Sequence, residues 1–527
     1  MNTVQVLLLS VFIAVLILEN YGYGYWMISR PIFAGPLIGL LLGDLKTGLL
    51  VGGSVELMYM GVIPVGGSVP PNAQIAGILS TVFAILNGGN AEVGIALALP
   101  IGLMAQLLIM FAWNLNIVLI HSADKYVQTG DHKMVDRMHL CGLVVFFFVF
   151  FIPTFLAIQF GSEFVNSVVA AMPPVLTDGL KIASGILPAV GMAMLLKMMN
   201  FKKYWSFFAL GFVFSIYLGL NVLAISIIAL ALVFAIYTMR NKEIDDDDGF
   251  GDEEADSGTA EGMLGRKELK KVFWRSFFFM TTINYERYCS LGFCYAMIPA
   301  LKVLYPKQAD LQEAMQRHNE FFNCHPYTGN AVLGVSLALE EQRAVGKLIS
   351  AEAISSTKAA LMGPLSSIGD SVFKATFMTI FAAIGAALAL DGNVAGPFLF
   401  LIPNVLLNVC SRWLFIKYGY ELGTNLVVKM KSSDIIDKFV EGATIVGMMV
   451  VGAMIVGFVN VKIGCVWVIG GKEIILQDII NSLMPSLLPL LLVLAYYWIL
   501  IKRKKGMYIC IIASFVLGIA GKVVGLF

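Results

Sequence analysis

Ionisable and amide side chains interrupt apolar sequence in the first half of the chain. Glu56 lies within an apolar stretch, where an ionisable group costs about 3 kcal/mol unless it faces a site or a partner. Asn72 and Gln74 end the segment 61–74, whose three prolines and three glycines in fourteen residues cannot continue a helix. Such groups on irregular backbone at membrane depth are typical of a buried polar site or a watery cavity.

Two interpretations of Glu56 stay open at this stage. It could bind a substrate, or it could be a structural carboxylate that caps a half-helix or pairs with Arg30 or Lys46. Both are consistent with the cost of an unpartnered charge in apolar surroundings.

The second half repeats the pattern. Its polar interruptions of apolar sequence are Asn284, Glu286, Asn323, His325 and Asp370. Broken helices at corresponding places of two halves indicate a substrate site near the midplane of a membrane transporter. A sugar suits such a site, because its hydroxyls need donors and acceptors and its C–H face needs an aromatic ring. The candidates for that ring are Trp26, Tyr285 and Tyr327.

Composition defines the elements that must position these residues. Of the 527 residues, 58% are hydrophobic and 13% charged, about half the charge of a soluble domain. Net charge is +1 and there are no basic runs with interleaved aromatic residues, so we set nucleic-acid binding aside. Apolar runs long enough to cross a bilayer as helices are 3–19, 140–160, 375–391, 440–459 and 482–501. The sequence predicts an all-α, polytopic membrane protein of two helical halves with broken or re-entrant helices.

Signatures of catalysis and of cofactor binding are missing from the sequence. The seven cysteines are scattered without a CxxC pair, and the five histidines show no metal-ligand spacing. We find no phosphate-binding loop, dinucleotide fingerprint, zinc motif or nucleophile elbow. We therefore predict no catalytic residues, no metal and no cofactor, and we expect any energising chemistry to lie on another polypeptide.

An acidic segment divides the chain. Residues 241–264 contain Asp245–Asp248 and further carboxylates among glycines, a composition typical of a disordered linker. The predicted domains are 1–240 and 265–527, although one domain with a long surface loop is the alternative. Basic residues flank the linker at Arg240, Lys242, Arg266, Lys267, Lys270 and Lys271. By the positive-inside rule this linker is cytoplasmic.

Lys202 and Lys203 also indicate the cytoplasmic side. The residues 204–239 must then enter the membrane and return. We expect a helical pair broken near 219–221.

An ordered series of motifs resembles the mannose/fructose/sorbose class of the bacterial phosphotransferase system (PTS). The first half resembles its IIC component through Arg30-Pro31, residues 39–48 and residues 52–57. The second half resembles its IID component through residues 284–287, 291–294, 320–323, 339–343, 361–365 and 368–370. The series covers nearly the whole chain outside the linker, in family order.

The resemblance implies a mechanism and a set of partners. IIC and IID components form a complex, similar to a trimer of heterodimers, in the bacterial inner membrane, with the sugar site between them. A cytosolic IIAB partner phosphorylates the sugar as it arrives, and translocation is by alternating access. Carried over, the sugar-binding residues are Glu56, Asn72, Asn284, Glu286, Asn323, His325 and Asp370. The side-chain chemistry of the sequence adds Gln74 and Trp26 to these candidate sugar-binding residues.

Two departures from the family pattern bear on function. The components are usually separate chains, whereas here they are fused, which would raise their effective concentration. Mannose-type members carry an acidic and glutamine-containing patch before Arg30-Pro31, where this chain has Gly24–Met27, and tend to have aspartate where it has Asn72. Pro70-Pro71-Asn72 is more similar to the branch that handles N-acetylgalactosamine. We expect a hexose or an N-acetylhexosamine rather than mannose in particular.

Two other functions remain open from the residues alone. A secondary transporter would use Glu56 or Asp370 as a proton or sodium site, and its uptake would collapse with an uncoupler. A receptor or scaffold would neither bind nor transport sugar.

Overall fold

The predicted all-α membrane fold is confirmed. The computed structural model describes residues 1–62, 69–171, 178–179, 182–183, 185–186, 188–198, 201–244, 263–346, 349–423, 434–464, 466–469, 472–503, 506–524 and 526. In these ranges five helices are long and apolar enough to cross a membrane, and a pair bent by 77° could form a sixth span. Residues 63–68 of the proline-rich segment and 245–262 of the acidic linker lie outside the described residues.

The first half begins with a helix at the N-terminus and continues with two long central helices. Its helices are α1 (Thr3–Tyr21), α2 (Pro31–Leu42), α3 (Leu45–Tyr59), α4 (Ala73–Leu86), α5 (Ala91–Thr129), α6 (His132–Ala171), α7 (Pro188–Met198), α8 (Phe201–Leu218) and α9 (Val222–Ile244). The predicted break in the 204–239 pair is present, because α8 and α9 are separated at 219–221. Gly219 permits the turn there with a φ of +64°.

The second half contains one long helix that changes type within its length. Its elements are α10 (Arg266–Ser276), α11 (Ser290–Leu304), α12 (Gln308–His318), α13 (Gly329–Ala344), α14 (Ala351–Gly369), the π-helix π1 (Asp370–Met378), α15 (Thr379–Leu390), α16 (Ala395–Leu422), α17 (Asp434–Phe458), β1 (Val466–Ile469), β2 (Lys472–Ile475), α18 (Leu476–Leu483), α19 (Leu487–Lys502) and α20 (Gly506–Val523). β1 and β2 form an antiparallel hairpin, and the bent pair consists of α18 and α19.

The two halves pack together rather than forming separate cores. Each of the two hydrophobic cores contains buried side chains from both halves, for example Phe146 with Phe293 in one and Val55 with Ala382 in the other. Many large apolar side chains remain exposed on the outer helix faces, as expected for surfaces in contact with lipid. The acidic linker therefore joins two units that share their interior.

Glycines allow the closest approach between the halves. A Cβ on Gly211 of α8 would lie 1.9 Å from the carbonyl oxygen of Met449 on α17. A Cβ on Gly452 of α17 would lie 2.2 Å from the carbonyl oxygen of Phe208. Small residues at helix contacts let backbones approach in membranes, and these two positions fix how α8 lies on α17.

Replacing Gly452 by Val is expected to destabilise the folded chain by about 3 kcal/mol, because the new methyl groups would overlap backbone that cannot move away cheaply. The measurement is the midpoint of thermal unfolding in detergent. Gly457→Val is the matched control on the same helix, since a Cβ at Gly457 meets nothing within 4 Å. Equal midpoints for the two variants would contradict the packing described here.

Candidate functional site

A polar cavity of about 220 Å³ lies between the two halves. The first half contributes polar side chains at Asn20, Tyr21, Tyr25, Arg30, Asn72 and Gln74. The second half contributes polar side chains at Tyr288, Asn323, Cys324, His325, Ser366, Asp370 and Lys374. Five of the nine predicted substrate-binding residues thus line one cavity: Asn72, Gln74, Asn323, His325 and Asp370.

Asn72 forms part of the first-half wall because it starts a helix there. Asn72 is the N-cap of α4, and its side-chain Oδ1 accepts a hydrogen bond from the N–H of Ile75 at 2.8 Å. Its own N–H donates to the carbonyl of Gly102 on α5 at 2.9 Å, and its Nδ2 donates to the Tyr21 hydroxyl at 3.3 Å. The helix starts directly after Pro70-Pro71-Asn72, so the cap and the cavity wall coincide.

The turn at 323–327 forms part of the second-half wall. His325 is buried, its Nδ1 accepts from the N–H of Tyr327 at 3.2 Å, and its Nε2 has no hydrogen-bond partner among the described residues. Gly369 makes this position possible, because a Cβ there would lie 2.4 Å from the Cβ of His325. The second half therefore places an unpartnered imidazole nitrogen on a residue that lines the cavity.

The polar interruption predicted at Asp370 coincides with a change of helix type. α14 continues to Gly369 and passes directly into the π-helix, which starts at Asp370. Asp370 Oδ1 lies 3.0 Å from Lys374 Nζ one turn later, and both residues line the cavity. π-helical segments are rare and often occur at functional sites.

Glu56 is fully buried, does not line the cavity and pairs with Arg30, which does. The Nε of Arg30 donates to Glu56 Oε1 at 3.1 Å, and the N–H of Ile32 lies 3.4 Å from Oε2. The sequence left two interpretations of Glu56 open, and the structure shows the pairing with Arg30. The carboxylate holds the guanidinium at the cavity wall.

A strained loop, Gly24–Met27, connects α1 to α2 and is called the cavity loop below. Gly24, Tyr25 and Met27 have φ values of +120°, +60° and +68°. For Tyr25 and Met27 this left-handed conformation costs roughly 1–3 kcal/mol each. Both line the cavity, so the strain lies where the first half shapes the site.

Three predicted residues lie elsewhere. The Trp26 ring stacks on Phe277, with centroids 4.9 Å apart, and does not line the cavity. Asn284 closes the turn before α11, since its Oδ1 accepts from the N–H groups of Glu286 and Arg287 at 3.0 and 2.9 Å. Glu286 is partly exposed and contacts His121 of α5 at 2.9 Å.

The candidate aromatic rings are also near the cavity rather than in it. Tyr285 packs against Trp113, a cavity-lining residue, with centroids 4.9 Å apart. Tyr327 is buried behind His325, with centroids 4.9 Å apart. Among the described residues, the phenol and indole rings that line the cavity are those of Tyr21, Tyr25, Trp113 and Tyr288.

Sequence reasoning missed Lys374, Tyr21, Tyr25 and Ser366. Lys374 could have been found, because a lysine four residues after Asp370 in apolar sequence is the spacing of a helical ion pair. The tyrosines carry no local signal, since aromatic residues are common throughout membrane helices.

Two helical halves that enclose a cavity rich in hydrogen-bonding groups, among helices of membrane-crossing length, define a membrane permease for a small polar molecule. Comparison with known proteins identifies its family. Residues 263–527 match the family described as PTS system mannose/fructose/sorbose family IID component, and residues 3–236 match PTS system sorbose-specific IIC component.

Individual relatives agree with both matches. The mannose-specific EIID component of Escherichia coli K12 is 41% identical over 275 residues, which cover 51% of this chain and 96% of that protein. The sorbose-specific EIIC component of Klebsiella pneumoniae is 36% identical over 215 residues, 41% of this chain and 80% of that protein. A solved structure described as a membrane protein is 39% identical and covers 50% of this chain and 98% of its own, with a TM-score of 0.47.

The chain belongs to the mannose/fructose/sorbose family of the PTS, and the resemblance found in its motifs is confirmed. It is a multi-pass membrane permease that translocates sugar within a PTS, with a IIC-type and a IID-type part on one polypeptide.

Proposed function

We propose that this chain carries a hexose or an N-acetylhexosamine inward through the cavity between its halves, for phosphorylation by a cytosolic IIAB-type partner. The observation that carries the proposal is that both halves supply hydrogen-bonding side chains to one cavity, including four amides, an imidazole and an ion pair. A sugar hydroxyl both donates and accepts, so it needs such a mixed set.

Individual side chains have different roles in this proposal. Asn72, Gln74, Asn323, His325 and Asp370 contact the sugar directly. Glu56 acts through Arg30, Asn284 through the turn that presents Tyr288, and Trp26 by anchoring the cavity loop on Phe277. Glu286 stabilises the contact with α5.

The family and the distribution of charge support the proposed location and assembly. Residues 1–240 form the IIC-type domain and 265–527 the IID-type domain, and the acidic segment 241–264 lies in the cytoplasm of a bacterium, with the halves in its inner membrane. Basic residues flank the linker on both sides, which favours the cytoplasm. Three copies of the fused chain form the working assembly.

Among possible sugars we favour N-acetylgalactosamine and related N-acetylhexosamines. An amide at Asn72 and aromatic and apolar side chains at Tyr25 and Met27 line the cavity where mannose-type members carry a more acidic and polar set. An acetamido group presents a methyl and an amide, which suit such a wall better than a second pair of hydroxyls.

The test uses inside-out vesicles with labelled sugar sealed inside and the IIAB partner, the general phosphotransfer proteins and phosphoenolpyruvate outside. We expect sugar phosphate in the medium, with N-acetylgalactosamine a better substrate than mannose. Asn72→Ala and Asn323→Ala, one from each half, should each weaken equilibrium binding of the sugar about 10-fold, since each removes a hydrogen-bonding group. Asn404→Ala is the matched control, because that amide bonds within α16 to Phe400.

Other outcomes would redirect the proposal. Uptake that ignores phosphoenolpyruvate and collapses with an uncoupler would indicate a gradient-driven transporter. Absence of both binding and product, with a folded chain bound to its partner, would indicate a receptor. Mannose transported to the exclusion of N-acetylhexosamines would overturn only the choice of sugar.

A further inference from the structure

We infer that Arg412 and Asn408 of the second half are positioning residues that hold the cavity loop of the first half in its site-forming conformation. The inference rests on the proposed function, in that the loop's side chains shape a sugar site. It assigns a role to two polar side chains that do not line the cavity themselves.

Arg412 is a buried cation without a carboxylate partner among the described residues. Its Nη1 donates to the carbonyl of Ser276 at 2.6 Å and its Nε to Oδ1 of Asn408 at 2.7 Å. The guanidinium also lies over the rings of Phe277 and Tyr327, 4.6 and 5.6 Å from their centroids. A full charge is costly to bury unless such contacts replace water.

Asn408 and Arg412 together bind the backbone of the cavity loop. Nδ2 of Asn408 donates to the carbonyls of Gly24 and Tyr25 at 2.8 and 3.1 Å. Nη2 of Arg412 lies 3.5 Å from the carbonyl of Gly24. Since Arg412 also donates to the side-chain Oδ1 of Asn408, it fixes the orientation of that side-chain amide.

A buried carboxylate of the first half binds the same loop through its N–H groups. Glu19 of α1 is 1% exposed and accepts from Trp26 and Met27 at 2.6 and 3.1 Å, and from the N–H of Ser29 at 3.1 Å. The carbonyl groups of the cavity loop therefore face a buried cation of the second half, Arg412. The N–H groups of the loop face a buried anion of the first half, Glu19. Peptide dipoles between two such charges are polarised in the same sense, which strengthens both sets of bonds.

This arrangement explains how a strained loop keeps its shape. Tyr25 and Met27 are held at positive φ, a conformation that persists only where surrounding contacts determine it. Without Asn408 and Arg412 the carbonyls of Gly24 and Tyr25 would lose their partners, and the loop could relax. Tyr25 and Met27 would then leave their places in the cavity wall.

The experiment measures the Kd of radiolabelled N-acetylgalactosamine, and of mannose as second probe, for the purified full chain in detergent. We expect Arg412→Met and Asn408→Ala each to raise the Kd about 10-fold through the lost loop contacts. Arg412→Lys, which keeps the charge, should recover part of the affinity. In a Tyr25→Ala background, Arg412→Met should raise the Kd by a smaller factor than in the wild type, because Arg412 acts in part through Tyr25.

A matched control separates positioning from general stability. Arg317→Met removes another buried arginine of the same half, one that pairs with Glu340 away from the cavity. It should lower the unfolding temperature while the folded fraction keeps the wild-type Kd. Arg412→Lys and Asn408→Ala keep the test valid should Arg412→Met fail to fold.

The possible failures are distinguishable. If Asn72→Ala and Asn323→Ala weaken binding but the Arg412 and Asn408 variants bind like wild type, the positioning role is overturned and the sugar site stands. If the fold increases in Kd caused by Arg412→Met and by Tyr25→Ala simply multiply in the double variant, Arg412 does not act through the loop. If wild type binds neither probe, the proposed function fails and this inference with it.

Discussion

Replacing Glu56 by Gln is expected to reduce phosphoenolpyruvate-driven sugar phosphorylation at least about 100-fold. Glu56 is the carboxylate partner of Arg30, and both side chains are buried. Breaking a buried ion pair by neutralising one member leaves an uncompensated charge and costs about 3–5 kcal/mol. Because Arg30 lines the cavity, the loss would act at the site as well as on stability.

A double variant separates these two effects. Arg30→Met with Glu56→Met removes both charges, so thermal stability in detergent should recover toward wild type. Sugar phosphorylation should stay low, because the cavity has lost its guanidinium. Wild-type stability and wild-type phosphorylation in Glu56→Gln would contradict the pairing and the role of Arg30 together.

Replacing Asp370 by Asn is expected to weaken sugar binding about 10- to 100-fold, the range for losing hydrogen bonds to a charged group. Asp370 pairs with Lys374 within the π-helix, and both line the cavity. The substitution removes a charged acceptor and leaves Lys374 without its partner. The measurement is equilibrium binding of labelled sugar to the purified chain.

The control for Asp370 is a pair of the same spacing on the surface. Lys417 and Glu421 on α16 are 3.7 Å apart and about half exposed. Exposed pairs of this kind contribute little, so Glu421→Gln should leave both affinity and stability unchanged. If Asp370→Asn binds sugar as tightly as Glu421→Gln does, Asp370 is not part of the sugar site.

The sequence predicted the class of fold and part of the cavity lining because both depend on local signals. Apolar runs of bilayer length require helices, and Gly219 within such a pair predicts the break that separates α8 from α9. Asn72 and Asp370 were predicted as candidates because a polar group in apolar sequence is costly unless it faces a site or a partner. The domain boundaries and the disorder of the linker stay predictions.

The rest depends on how the halves pack, which local patterns do not encode. A polar residue in apolar sequence signals that it needs a partner, but not which one. Asn284 bonds to its own turn and Glu286 contacts His121 of the other half, so neither lines the cavity. Tyr25 lines it, and its carbonyl is bound by Asn408, nearly four hundred residues later in the sequence.

In the proposed function, the sugar binds between the two halves. The most direct measurement is a cryo-electron microscopy structure of the full chain at a concentration of N-acetylgalactosamine that saturates binding. We predict density for the sugar in the cavity, in contact with Asn72 from the first half and with Asn323 or Asp370 from the second. Density for the sugar wholly within one half, or outside this cavity, would contradict the account.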